Sequence, residues 1–105
     1  MPVVRQILAA ATGASASDEV SVEKPEFAKT IMAKGTLTGA ETIGDVQIKD
    51  SGGSWVDYYY NGTQVQLSDT QTAIMLEGIG TYRVNKGVTT AAVGIDVYER
   101  GSPLS

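Results

Sequence analysis

Apolar and polar positions alternate along much of this chain. Five short segments place apolar residues two positions apart: Val46 and Ile48, Val65 and Leu67, Ile74 and Leu76, Tyr82 and Val84, and Val93, Ile95 and Val97. A period of two turns one face of a β-strand toward a core and the other toward solvent. Clusters of Gly, Asn, Asp and Ser interrupt the pattern roughly every ten residues, a spacing typical of an all-β sandwich or barrel.

This pattern predicts about eight short strands and no major helix. The expected strands cover residues 20–22, 27–33, 43–49, 54–60, 65–67, 73–76, 81–85 and 92–99. Asp50 to Gly53 are expected to form a turn, because the glycines permit positive φ. Asn61-Gly62 is expected to form a tight turn, since a type I′ hairpin turn needs positive φ at both central positions. Antiparallel hairpins must cover their apolar faces with a second layer. We therefore expect an all-β fold, an antiparallel β-sandwich of jelly-roll-like character.

The N-terminal segment is harder to interpret than the rest. Residues 1–17 are expected to form an arm or outer strand with a Ser/Ala-rich loop, and residues 18–105 a single sandwich domain. The apolar residues of the arm are Val3, Val4, Ile7 and Leu8. They fit a helical stripe or an outer strand, and the all-β context favours the strand.

Composition and charge exclude several functions. The chain of 105 residues contains no histidine and no cysteine, and so lacks the commonest proton shuttle and the thiol nucleophile. Its net charge of −4 argues against nucleic-acid binding, which depends on clustered Lys and Arg. No stretch approaches the roughly 20 apolar residues of a membrane span. We expect a soluble protein with no nucleic-acid or membrane partner.

Four carboxylates are the remaining candidates for chemistry. Asp45, Asp50, Asp57 and Asp69 fall in or near the best-defined hairpins. Calcium takes 6–8 oxygen ligands, but the spacing of these residues matches no calcium loop, and nothing in it singles out an acid/base pair of the kind glycosidases use. We interpret them as turn-forming and surface residues, and expect no metal, no cofactor and no enzymatic activity.

The main concentration of aromatic residues lies at 55–60. If Val56 faces the core, alternation turns Tyr58 and Tyr60 inward and leaves Trp55 and Tyr59 outside. Exposed aromatic residues of this kind stack on sugars or anchor protein interfaces, whereas packing at the edge of the core is the structural alternative. Trp55 and Tyr59 therefore join the arm residues as interface candidates.

Several turn-and-strand phrases resemble a known family. They are KDSGGSWVD at 49–57, NGTQVQL at 61–67, EGIGTYRV at 77–84 and VTTAAVG at 88–94. Together they resemble small β-sandwich structural proteins of tailed bacteriophages, in particular head decoration (cement) proteins, over roughly residues 18–99.

This resemblance implies a protein with no active site that binds the major capsid protein. It implies a homotrimer on the outside of the mature virion head, made in the host cytoplasm and stabilising the shell. The arm would then order against a capsid subunit or a neighbouring copy, adding a strand to its sheet. On this hypothesis, deleting residues 1–11 weakens attachment and leaves the sandwich folded.

Two other functions remain open at this stage. The first is a carbohydrate- or receptor-binding module of a phage tail or fibre, with Trp55 and Tyr59 as stacking platforms. The second is another minor structural protein of the virion, such as a tail tube or head–tail connector component. Copy number per virion separates a decoration protein from a connector.

Overall fold

A computed structural model describes residues 3–23, 28–35, 42–76 and 78–99 of the chain. These residues contain twelve strands: β1 (Val3–Ala11), β2 (Ser15–Ala16), β3 (Val20–Val22), β4 (Lys29–Lys34), β5 (Thr42–Lys49), β6 (Trp55–Asp57), β7 (Tyr59–Tyr60), β8 (Thr63–Gln64), β9 (Gln66–Ser68), β10 (Ala73–Leu76), β11 (Gly80–Lys86) and β12 (Val93–Glu99). Within the same ranges no helix is long and apolar enough to cross a membrane.

The strands form two main sheets and a small hairpin. Sheet A has the order β1-β12-β4-β10. Sheet B is built around the β11–β5 pair, with β2 and β3 added to β11, and β6 and β9 added to β5. Strands β7 and β8 pair with each other. Each pairing between the described strands is antiparallel, which confirms the predicted all-β antiparallel sandwich.

Most of the alternating apolar residues that the sequence singled out belong to the core. Ile7, Ile31 and Ile43 join them, whereas Ile48 and Val65 are only partly buried. Ile95 and Val97 contribute from sheet A, and Val46 and Val84 from sheet B, all with no measurable exposure. Burial of these faces is the main force that holds the sheets together. The period of two along the chain therefore identified the inner side of both sheets.

The two expected hairpin turns are present. Asn61 has φ of 52° and Gly62 of 79°, and these two residues connect Tyr60 to its partner Thr63, as a type I′ turn requires. Between β5 and β6, Asp50 Oδ1 accepts hydrogen bonds from the backbone N–H groups of Gly52 (2.9 Å) and Ser54 (2.8 Å). Asp50 is thus a turn-forming residue, as predicted.

The segment 54–60 differs from the single strand that alternation predicts. The Tyr58 N–H donates to Val46 O, and the Tyr58 carbonyl accepts from the N–H of Val65, both at 2.9 Å. This junction ends β6 at Asp57 and starts a separate hairpin at Tyr59. The break occurs because β5 changes partner along its length, from β6 at its end to β9 at its start.

The N-terminal segment is an outer strand of sheet A. β1 pairs with β12 from Val3 to Ala11, with register shifts on both sides of Leu8. The Ile7 side chain is 3% exposed and belongs to the core. Ile7 is therefore a core residue of the sandwich in this structure and not a surface residue of a free arm. The expected strand start at Phe27 lies outside the described residues.

Candidate functional site

The interface candidates predicted from the sequence occupy different environments. Val4 is 57% exposed and Tyr59 also 57% exposed, whereas Ile7 is buried. Leu8 is partly buried against the core, and Trp55 is half-buried. The backbone of Val3 begins β1, and its side chain lies outside the described part of the structure. Of the six, only Val4 and Tyr59 combine a described side chain with high exposure.

Val4 belongs to an apolar row that crosses sheet A. The register places Val4 opposite Tyr98, Tyr98 opposite Thr30, and Thr30 opposite Met75. Directly opposed residues of antiparallel strands lie on the same face. Because Val97 and Ile31 next to them point into the core, this row lies on the outer side of the sheet.

The next row on this side is less regular. It consists of Gln6, Asp96, Met32 and Ala73, one from each strand. We call the outer side of sheet A the apolar face. Its apolar members are Val4, Tyr98, Met75, Met32 and Ala73, and the polar residues Thr30, Gln6 and Asp96 lie in the same two rows. Its width is that of four strands about 4.8 Å apart.

A charged pair lies at the second row of this side of the sheet. Asp96 Oδ1 stands 4.0 Å from Lys34 Nζ, which also donates to Gln6 Oε1 at 3.0 Å.

The outer side of sheet B is polar by contrast. Gln47 connects two charged neighbours: its Oε1 accepts from Arg83 Nε at 2.9 Å, and its Nε2 donates to Asp57 Oδ1 at 3.3 Å. One row away, Gln66 Nε2 donates to Asp45 Oδ1 at 2.6 Å. This hydrogen-bonded lattice, the polar face, is what a solvated side of an antiparallel sheet normally presents.

Trp55 lies at the edge of the polar face, covered by cations. The Arg83 guanidinium carbon is 4.6 Å from the ring centroid and Lys49 Nζ is 5.5 Å from it. Such cation–π contacts contribute about 0.5–1 kcal/mol at exposed sites. A sugar that stacks on this ring would compete with these two side chains.

The three tyrosines beside Trp55 do not follow simple alternation. Tyr58 packs against the core, its ring meeting the Tyr82 ring edge-to-face at 5.3 Å, as predicted. Tyr60 is exposed, so its predicted inward position is wrong: it belongs to the β7–β8 hairpin and not to β6. Tyr59 and Trp55 lie on different sheets, and hence do not share one flat stacking platform.

A groove runs beside the open edge of β10. It has a volume of about 630 Å³ and is lined by Tyr58, Tyr60, Val65, Gln71, Ala73, Ile74, Met75 and Gly78. None of these described lining residues carries a charge. This part of the groove therefore suits a neutral, apolar segment of protein.

The buried amine of Lys86 is engaged in structural hydrogen bonds. Buried Lys86 donates from Nζ to the carbonyls of Gly13 (2.9 Å) and Gly87 (3.0 Å), and ties the N-terminal loop to the end of β11. Among the residues that the structure describes, no three His, Cys, Asp or Glu side chains gather in a way that could hold a metal ion.

Comparison of the chain with models of protein families, with curated proteins and with solved structures finds no match in any of the three. The surface chemistry therefore carries the functional argument. Sequence reasoning missed Tyr98, Thr30 and Met75, because only the cross-strand register brings them beside Val4. The signal present in the sequence was an apolar residue on the expected solvent side of three strands.

Proposed function

We propose that this chain is a head decoration protein of a tailed bacteriophage. It binds the major capsid protein on the exterior of the mature head and stabilises the shell. The phrases at 49–57, 61–67, 77–84 and 88–94 support the family. The protein-binding character rests on one structural observation, the difference between the apolar face and the polar face.

The apolar face is the proposed contact with the capsid. A sheet face turned toward water normally carries polar residues, and exposed apolar patches rimmed by polar groups mark protein-binding surfaces. The row of Val4, Tyr98 and Met75 fits that description, with Lys34 and Gln6 at its rim. The polar face then remains toward solvent.

Co-sedimentation with capsids that lack the protein tests this assignment. Val4→Lys places a cation in the apolar face and is expected to reduce capsid affinity at least tenfold, since an unpaired charge would be buried on docking. Val88→Lys is the matched control, because Val88 is 77% exposed and lies in the loop between β11 and β12. Equal binding by the two variants would show that the apolar face is not the contact.

A glycan-binding role at the polar face is the second candidate. The observation in its favour is the ordered set of hydrogen-bonding groups beside Trp55, formed by Gln47, Asp57 and Arg83. Loss of glycan binding in Trp55→Ala, with the fold intact, would favour this role. Retained capsid binding by the same variant would keep the two functions apart.

A further inference from the structure

Strand β10 leaves one edge of sheet A open. The Thr72 carbonyl accepts from the N–H of Ala33 at 2.7 Å, so residue 72 turns its hydrogen-bonding groups toward β4. Residues of an antiparallel strand alternate in this respect. Ala73 and Met75 therefore turn their N–H and C=O groups away from β4, toward the open edge. In the described part of the chain, β10 pairs with β4 alone.

The two edge strands of sheet A differ in how well they are protected against pairing with a further strand. Edge strands are normally blunted by bulges, charged residues or proline. β1 has register shifts between Gln6 and Leu8 and between Leu8 and Ala11, and it carries Arg5. β10 runs in regular register with β4, and its sequence Ala-Ile-Met-Leu contains neither charge nor proline. Only the β10 edge is prepared for further pairing.

The surroundings of this edge favour a second copy of the chain as its partner. Each chain carries a net charge of −4, so two copies repel over most of their surface. Within the described residues, the β10 edge and its groove carry no charge, and they permit close approach without that repulsion. An uncharged apolar strand is also complementary to its own antiparallel image, as a two-fold interface requires.

We propose that two copies of this protein associate through antiparallel pairing of their β10 strands. A two-fold axis passes between the two Ile74 residues, and Ala73 of each copy faces Met75 of the other. Each Ala73–Met75 pair exchanges two backbone hydrogen bonds. Sheet A then continues across the dimer as a single sheet, and both open edges are used.

A two-fold arrangement fits this edge better than the three-fold one that the family resemblance implies. In a trimer closed by strand pairing, β10 of one copy would meet a different surface of the next, since such contacts are heterologous. The matching edge of sheet A is β1, whose bulges interrupt a regular ladder. The dimer also sets two apolar faces side by side, which would strengthen capsid attachment through avidity.

Molar mass in solution is the first test. Pairing of two four-residue strands buries less than a standard interface, so we expect a reversible dimer with a Kd on the order of 10–100 µM. Sedimentation equilibrium over concentrations that span this range should show monomer and dimer. A monomer at every concentration, or a trimer, would overturn the proposal.

Ala73→Pro tests the role of the edge. Proline is tolerated in an edge strand where its missing N–H would face outward, and we expect at least a tenfold weaker dimer with cooperative unfolding retained. Ala73→Val keeps the N–H and is the matched control, with a dimer of unchanged strength. A dimer equally strong in both variants would place the interface elsewhere.

Cysteine crosslinking tests the register even if the proline variant fails to fold. The chain has no cysteine, so Ala73→Cys and Met75→Cys each introduce a single thiol. Facing residues lie about 5.5 Å apart at Cα, within disulfide range, whereas Ala73 and its own copy are offset by two residues and exceed about 7 Å. We expect the mixture to form mixed disulfides far faster than either variant alone. Equal rates would contradict the register.

This dimer does not rest on the capsid role, so the two proposals fail separately. If the protein is monomeric and binds capsids, the dimer proposal is wrong and the decoration proposal stands. If it forms the crosslinked dimer but does not bind capsids, the dimer proposal stands and the decoration proposal is wrong.

Discussion

At the scale of single residues, Tyr82 is the largest of the fully buried side chains among the residues described. Its hydroxyl donates to the carbonyl of Gly78 at 2.8 Å, and its ring meets that of Tyr58. Burial, with added repulsion from Tyr58 and a hydrogen bond to it, raises the pKa of Tyr82 from 10.0 to about 12. The phenol is thus held in its neutral form within the core.

The raised pKa predicts a loss of stability in strong alkali. The folded chain holds the Tyr82 proton more tightly than the unfolded chain, so the contribution is complete below pH 10 and disappears as pH rises through about 12. The predicted effect is therefore a decline in the free energy of unfolding between pH 10 and 12. Urea unfolding at pH 8, 10, 11 and 12 measures it.

Tyr82→Phe is the control for this pH dependence. It removes the titrating group and a hydrogen bond worth about 1 kcal/mol at neutral pH, and it should unfold with a shallower decline above pH 10. Parallel curves for the two proteins would show that other groups cause the decline.

Single residues also show where sequence reasoning succeeds. The hairpin turn at Asn61-Gly62 could be predicted from the sequence alone, since few other residue pairs adopt positive φ at both positions. The exposure of Tyr60 could not be predicted, because it depends on the junction at Tyr58, where the chain leaves β5 for a separate hairpin. Alternation predicts which face of the sheet a side chain occupies only while the strand continues without a break.

At the scale of elements, β1 is part of the fold and not a detachable arm. Ile7→Ala should lower the free energy of unfolding by about 2–5 kcal/mol, the usual effect of emptying a filled core position. Val4→Ala, on the exposed side of the same strand, should change it by less than about 0.5 kcal/mol. Chemical denaturation compares the two.

Similar stabilities for these variants would contradict the docked position of β1. For the same reason, deletion of residues 1–11 is now expected to destabilise the sandwich, contrary to the expectation from the arm hypothesis. Substitution of Val4, which leaves the core intact, is the better probe of attachment.

The β1–β12 pairing depends on a glycine. A Cβ at Gly94 would lie 2.7 Å from the Leu8 carbonyl oxygen and 2.8 Å from the Ala10 nitrogen, both backbone atoms of the bulged strand. Gly94→Ala should therefore cost about 1–3 kcal/mol of folding stability. Thermal unfolding measures this, with Gly13→Ala as control, since a Cβ at Gly13 has no atom within 4 Å. Equal melting temperatures would argue against the close approach.

The register between elements explains what the sequence could not reveal. The periodic pattern identified most strands and the core, because it depends on local alternation. The apolar face depends on which residues stand opposite each other in β1, β12, β4 and β10, strands distant in the chain. Bulges in β1 shift that register again, and local alternation of apolar and polar residues does not predict them.

At the scale of the whole molecule, the sandwich is two-sided. Sheet B presents a hydrogen-bonded polar lattice, and sheet A presents the exposed apolar side chains of Val4, Tyr98 and Met75. This asymmetry is what a small domain needs in order to lie flat on another protein and remain solvated outside. The proposed function therefore requires a protein partner on sheet A.

The most direct test is the number of copies that bind to one capsid. If the proposed function holds, purified protein can be mixed with phage capsids that lack it, and the bound copies counted after sedimentation. A decoration protein should show saturable binding at hundreds of copies per shell, reduced by Val4→Lys and unaffected by Val88→Lys. No saturable binding, or only a handful of copies, would contradict this function.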